Sequence, residues 1–425
     1  MARPERTRRT GSPSDAHRFA AFGSRNFRRY FIGQTISSIG SWTQSLAVIW
    51  LVIEITNRSD QLGVTTALQF LPMLLLGAAG GVLADKVDNR HLLIATSTAS
   101  GLLALTFGIV VATEQVTIWW VYALTLLLGL VLAVERPAMQ AILFQLVGPD
   151  LLPSAVATNS TINSVSRLIG PAIAGLLIAS VGIEACFMIN AASYLVVIAA
   201  LIALRTADLV PRPLLGRAKG KLREGFAYVR SHPDVARPLL VMTIVGIVVY
   251  NFQTTFPSMV HFGFHLGAGA VGAAMSVSAI GSIAGGIYIA GVTPHPRRTL
   301  AIALAGLGAS CLALSLAPEF WSFLMISVVV GFASACFQSV NTVVLQQATE
   351  PAMQGRVMGL HQMAWFGSTP IGALLMGWVI QISSPRVPFA LGGLTALLCA
   401  AAVIRRHTRS DGLPRHLSFL AKARV

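Results

Sequence analysis

The sequence predicts an all-α membrane protein with twelve transmembrane helices in two six-helix bundles. Three observations carry this. The 425 residues are 54% hydrophobic and only 11% charged, where a soluble domain carries about 25% charged residues. Twelve apolar runs are long enough to cross a bilayer, which needs about 20 residues each. Finally, the basic residues lie almost wholly on one side of the implied membrane, as cytoplasmic loops do.

The runs fall in order. A basic tail, 1–30, precedes the first run, 31–53. It is too long for the charged region of a secretory signal, and no small-residue cleavage site follows. Asn57-Arg58-Ser59-Asp60 separates that run from 62–84, and a charged stretch, Asp85 to Arg90, leads into 91–112. The runs 117–136, 155–179 and 184–204 complete the first bundle (31–204), with Gly148-Pro149-Asp150 as the break before the fifth. A basic segment, 205–236, follows. The second bundle (237–404) holds 237–260, 270–292, 299–317, 320–347, 356–380 and 387–404, with Ser383-Ser384-Pro385 before the last, and a basic tail, 405–425, ends the chain. The period-two alternation of a membrane barrel is absent.

Charge sets the orientation. Of 31 lysines and arginines, all but Arg58, Arg386 and the intramembrane Arg167 fall on the side that holds both termini. The net charge of +15 therefore reads as a topology signal rather than as a nucleic-acid footprint, and both termini are expected in the cytoplasm of a bacterial inner membrane. Cys186, Cys311, Cys336 and Cys399 all lie inside apolar runs without CxxC spacing, so neither a disulfide framework nor a metal site is indicated. No Walker A, Gly-x-Ser-x-Gly or HExxH pattern occurs, which argues against an enzyme and against ATP as direct energy source.

Within the central segment, Leu222, Phe226 and Val229 share one helical face amid basic residues. This pattern predicts an amphipathic helix on the membrane surface. The halves show a faint repeat. Gln145-Leu146-Val147-Gly148-Pro149 corresponds to Gln347-Ala348-Thr349-Glu350-Pro351, and Pro171 to Pro370. Glycine pairs four apart, Gly77/Gly81, Gly281/Gly285 and Gly355/Gly359, predict close helix packing, which in lipid replaces the missing hydrophobic force between helices.

Two motifs are specific. Between the second and third runs stands Gly81-Val82-Leu83-Ala84-Asp85-Lys86-Val87-Asp88-Asn89-Arg90. It resembles the loop signature of the major facilitator superfamily, with Asp88 in place of the usual glycine and Asn89 in place of a base. The resemblance implies a charge latch on the cytoplasmic side: Gly81 for close helix contact, Asp85 at a helix end and Arg90 as a bidentate partner for a carboxylate. The corresponding loop of the second half, Thr293 to Arg298, has no acid. In the fifth run, Gly170-Pro171-Ala172-Ile173-Ala174-Gly175 resembles the antiporter motif of exporters in that superfamily. Stretches at Arg25–Tyr30, Pro137–Ala141, Arg223–Arg230 and Gly355–Gly359 are similar to one bacterial branch, the drug:proton antiporters akin to enterobactin exporters and macrolide-efflux proteins. The resemblance covers most of 25–405. It implies the major facilitator fold and transport of a small molecule driven by a proton gradient, with no cofactor, by a monomer in the lipid bilayer.

Polar residues at membrane depth are the candidate site. Charges there cost about 2.5–3.5 kcal/mol on insertion scales. Arg167 is the deepest, with Glu135 the nearest acidic candidate by helix adjacency. His361, early in the eleventh run, titrates near neutrality in water. The superfamily resemblance implies a cavity lined by runs 1, 4, 7 and 10, where Gln44, Asn251, Gln253, Gln338 and Asn341 lie, with Trp42, Trp50, Tyr250 and Phe252 as aromatic surface. Few charges and several aromatics suit a large, partly apolar solute. The expectation is a secondary active transporter exporting a drug, siderophore or secondary metabolite. A nutrient importer of facilitator type and a non-transporting membrane scaffold or sensor are the alternatives.

Overall fold

The structure, a computed structural model, describes residues 20–211, 221–291 and 296–411. It is all-helical over them. The helices are α1 (Arg25–Thr56), α2 (Ser59–Lys86), α3 (Asn89–Ala112), α4 (118–147), α5 (149–180) and α6 (Ile183–Ile202). A short helix α7 (Lys221–Ser231) precedes α8 (Pro233–Gly263), α9 (Ala268–Ala290), α10 (Pro296–Ser315), α11 (Phe320–Ala348), α12 (Gln354–Ile382) and α13 (Val387–Asp411).

Helices α4 and α5 run on as one 63-residue helix, Ile118–Ser180, broken at Gly148. At 1.5 Å per residue that is about three times the thickness of a hydrocarbon core, so it makes two spans that reverse at the break. Gly148 has φ 73°, a left-handed backbone that glycine adopts without strain, and Pro149 and Pro153 follow it. The fourth helix therefore continues eleven residues past the predicted end at 136, and the fifth begins at 149 rather than 155. Arg136, read from sequence as a cytoplasmic loop charge, lies inside α4.

Two further spans are irregular. Helix α2 bends by 61° between Gly77 and Ala79. Helix α8 unwinds at Tyr250 and Asn251, resumes over Phe252–Ser258 and ends in a π turn, Met259–Gly263. Side chains such as Leu195, Ile287 and Leu398 point outward and stay exposed, as a lipid-facing surface requires. Trp119 and Trp321 are exposed on the first turns of α4 and α11, where amphipathic rings sit at headgroup level.

The two sets of six spans meet along α2 with α12 and along α5 with α9. Small residues make these seams. A Cβ on Gly63 would strike the Ala373 carbonyl, and one on Gly272 the Pro171 carbonyl. Of the three predicted glycine pairs, Gly281/Gly285 packs on the backbone of Val328 and Phe332, whereas nothing lies within 4 Å of a Cβ built on Gly81, Gly355 or Gly359. Near the Gly77/Gly81 pair the tight contact belongs to Gly80, against the Ala133 carbonyl.

The exposed carbonyls at the end of α6 find side-chain donors. Arg90 Nε and Nη2 donate to Leu201 O (2.7 Å) and Ile202 O (2.9 Å), and Arg29 Nη1 donates to Ala203 O (2.5 Å). Cations here satisfy orphan carbonyls and oppose the negative end of the helix dipole. Arg90 thus grips backbone rather than the carboxylate the latch reading expected. Asp88 explains its own departure from the signature: it caps α3, accepting from Arg90 N (2.8 Å) and His91 N (3.2 Å). The loop residues Thr293, Pro294 and His295 lie outside the described residues.

Helix α7 docks on the start of α12. Glu224 pairs with Arg356 at 2.9 Å, Gly225 faces Leu360 and Arg356, and Tyr228 Oη accepts from Glu350 N at 3.2 Å. Tyr228 and Val229 join the small core of Val235, Leu239, Leu345, Val357 and Leu360. Phe226, expected on the same face as Val229, is exposed instead, and the side chain of Leu222 lies outside the described residues.

Candidate functional site

A cavity of about 1280 Å³ lies between the two halves. Its walls come from α1, α2, α4, α5, α6 and α12, with Gln253 from α8. At one end it reaches Gln140, Gly355 and Arg356, beside the α4–α5 reversal, α7 and the basic ends of the helices. At the other it stops below a set of contacts between the halves. There Ser59 N donates to Gln381 Oε1 at 3.1 Å, Thr66 and Thr254 hydroxyls lie 3.5 Å apart, and His261 Nε2 meets Asn57 Oδ1 at 3.2 Å. Trp50 stands edge-on to the His261 ring, 5.4 Å away. The cavity is open at the basic end and clasped at the opposite one.

The wall is rich in amides and hydroxyls. Gln44 is buried and accepts from Asn190 Nδ2 at 2.7 Å. Asn190 Oδ1 accepts in turn from Ser193 Oγ at 3.0 Å. Ser41 and Tyr194 hydroxyls are 3.3 Å apart. Gln34, Gln69, Asn163 and Gln362 also line the space. Two charges stand deep in it. Glu135 is 9% exposed, and its Oε2 has no hydrogen-bond partner among the described residues. Arg136 follows it in sequence and stands over the Phe366 ring of α12, 5.4 Å from the centroid. Sequence reasoning missed Arg136 because the apolar run was ended at that residue; the run Ala138 to Val147 was the signal that the helix continues.

The sequence candidates divide. Gln44, Gln253 and Glu135 line the cavity. Arg167 does not. Its Nη2 donates to Ser282 Oγ of α9 at 2.6 Å, a bond across the α5–α9 seam rather than a pair with Glu135. Asn251 sits at the α8 break, donating to Ile247 O at 2.7 Å. Gln338 and Asn341 of α11 lie away from the cavity, and both side-chain atoms of the fully buried Asn341 lack partners among the described residues. His361 is likewise buried off the cavity wall, with neither ring nitrogen bonded among the described residues. Helices α2 and α12 take the place expected for α8 and α11. Of the aromatics, Trp42 lines the cavity, whereas Tyr250 lies edge-on to Phe252, stacks on Phe337 and tilts against Trp365.

The motif in α5 acts through backbone contact. Thr43 Oγ1 of α1 donates to Gly170 O at 3.2 Å, and a Cβ on Gly170 would strike Trp42. A Cβ on Gly175 would lie 3.0 Å from Gly269 Cα. Gly170, Pro171 and Gly175 thus hold α5 to α1 on one side and to α9 of the other half on the other. Asp85 is exposed at the end of α2.

Comparison with known proteins places these features. The family profile described as transmembrane secretion effector matches residues 16–414. Macrolide efflux protein A of Streptococcus pyogenes is 25% identical over 390 residues, covering 89% of this chain and 94% of that protein. Enterobactin exporter EntS of Shigella flexneri is 25% identical over 386 residues, covering 89% and 90%. The crystal structure of the nucleoside transporter NupG (a point mutant) superposes with a TM-score of 0.72 at 14% identity, over 89% of this chain and 98% of that one. With a profile spanning nearly its whole length and an all-helical fold shared with a solved transporter, the chain belongs to the transmembrane secretion effector family of the major facilitator superfamily, as a multi-pass membrane transporter.

Proposed function

We propose that this protein exports a small amphipathic solute across the bacterial inner membrane by alternating access, driven by the proton gradient without a bound cofactor. It works as a monomer with both termini in the cytoplasm. The observation that carries the reading is the cavity open at the basic end and clasped at the other. Basic ends face the cytoplasm, so this is the state that loads solute from inside. Relatives named as efflux and exporter proteins support that direction.

Alternating access then requires the α2–α12 and α5–α9 seams to part at the outer end while the basic end closes. Glu135 is the coupling residue. Its carboxyl is buried beside the cavity with an unbonded oxygen, and among the described residues no cation lies within ion-pair distance. Two states of the protein that differ in how they solvate this group differ in their affinity for its proton, which is the condition for a ligand to shift a conformational equilibrium. Arg167 remains protonated at any working pH. It cannot carry the proton, and its bond to Ser282 serves as a link across the seam.

The test uses everted membrane vesicles from cells lacking their major exporters, with the solute found by a susceptibility and accumulation screen. Uptake should follow an imposed inside-acid gradient and collapse with a protonophore. Glu135→Gln should abolish gradient-driven uptake while keeping solute exchange at equal pH. Gradient-driven uptake at the normal rate in Glu135→Gln removes the coupling role. Transport only in the opposite direction makes the protein an importer.

A further inference from the structure

We propose that Arg136 is an anion-binding site, so that the solutes this transporter takes are amphipathic molecules bearing a carboxylate or another oxyanion. The inference rests on the export reading and narrows its substrate class.

Three observations lead there. Arg136 forms no hydrogen bond or ion pair with any described residue, although it lies deep between the halves. A guanidinium carries five donors in a planar fork and no acceptor, and no described residue takes any of them. The adjacent Glu135 feels its charge but makes no ion pair with it, because consecutive residues on a helix do not face each other: Glu135 is buried while Arg136 is exposed to the cavity. The other arginine of the wall, Arg356 at the mouth, is already engaged by Glu224 at 2.9 Å. The one accessible charge inside the cavity without an ion-pair partner among the described residues is therefore positive.

The surroundings suit an anion with an apolar body. On α4, Gln140 lies one turn from Arg136, on the same face. On α12, Gln362 lies one turn from Phe366, and all four line the cavity. An oxyanion can take the guanidinium fork bidentately and accept from these amide nitrogens. The Phe366 ring, already against the guanidinium, offers flat apolar surface to the rest of the solute. Because Arg136 is on α4 and Phe366 on α12, such a solute touches both halves at once.

The experiment measures binding alone, without a gradient. Full-length protein in lipid nanodiscs is titrated with three probes of one fluorophore: dansylglycine (anionic), dansylglycinamide (neutral) and N-(2-aminoethyl)dansylamide (cationic). Energy transfer from tryptophan reports occupancy, since Trp42 lines the cavity, and empty nanodiscs supply the lipid background. The wild type should bind the carboxylate about tenfold or more tighter than the amide, as for a charge-assisted hydrogen bond, and the cation weakest. In Arg136→Gln the affinity for dansylglycine should fall to that of the amide, with the amide unchanged. Arg136→Lys should keep part of the preference. A preference that survives in Arg136→Gln overturns the proposal. Should Arg136→Gln not fold, the wild-type ranking decides: a carboxylate bound no tighter than the amide overturns it too. Failure here leaves gradient-driven export untouched, and loss of export with the ranking intact sinks the export reading alone.

Discussion

Substituting Gly63 by alanine tests the outer clasp directly. A Cβ on Gly63 would overlap the carbonyl oxygen of Ala373 and lie 3.1 Å from its carbonyl carbon and 3.3 Å from Gly377 Cα. All three are backbone atoms of α12, so no rotamer change relieves the clash and the helices must separate. Overpacking of this kind costs about 1–3 kcal/mol. On the proposed orientation this contact lies where α2 and α12 meet at the outer end, so the penalty should fall on the outer-closed state. That shifts the ratio of outer-open to outer-closed protein by about 5- to 150-fold. The readout is a cysteine at Thr66, which is 7% exposed in this state, in a background with Cys186, Cys311, Cys336 and Cys399 replaced. Intact cells are treated with a membrane-impermeant maleimide. Labelling of Thr66→Cys should accelerate at least fivefold when Gly63→Ala is added, at the lower limit of that shift. Gly81→Ala serves as control, because nothing lies within 4 Å of its Cβ and labelling should not change. Equal labelling with and without Gly63→Ala, in protein of normal abundance, would refute the assignment of this seam as the outer gate.

The remaining predictions concern the basic end and the second seam. Asp85→Asn should cut transport severely while leaving membrane abundance and thermal stability near wild type; normal flux would end the latch role. Asp88→Ala, by contrast, removes the cap of α3 and should lower stability by about 1 kcal/mol, read as a lower unfolding midpoint with flux per folded molecule unchanged. Arg167→Lys loses the planar fork but keeps the charge, so it should transport less than wild type and more than Arg167→Ala. Abundant, stable Arg167→Ala protein that transports normally would remove the seam link to Ser282 from the mechanism.

Several features were only partly legible in the sequence, for a physical reason. Gly80 and Gly81 are adjacent and chemically identical, yet only Gly80 meets another backbone, at Ala133. Spacing placed a small residue near the contact, but the rotation of α2 selected which one. Asp88 was readable only as a departure from a signature until its carboxylate was seen capping α3. Arg90 had the chemistry to grip a carboxylate, and the end of α6 supplied carbonyls instead. The amide residues illustrate the same limit. Gln44 and Gln338 look alike in sequence, and one lines the cavity while the other does not.

By itself the sequence determined that the chain crosses the membrane as helices, roughly where each begins and ends, and which family signature it carries. The reason is that lipid leaves the backbone no partner but itself, so every span must be a long apolar helix and announces itself by composition. It could not say which side of each helix faces the cavity. In a soluble helix a polar stripe marks the solvent face, but a spanning helix is apolar toward lipid and largely apolar toward its neighbours. Only the tertiary structure decided that Arg136 stands in the cavity over Phe366, that Arg167 ties α5 to Ser282 and that Glu135 is buried at the wall, because each depends on how α4, α5, α9 and α12 are rotated against one another.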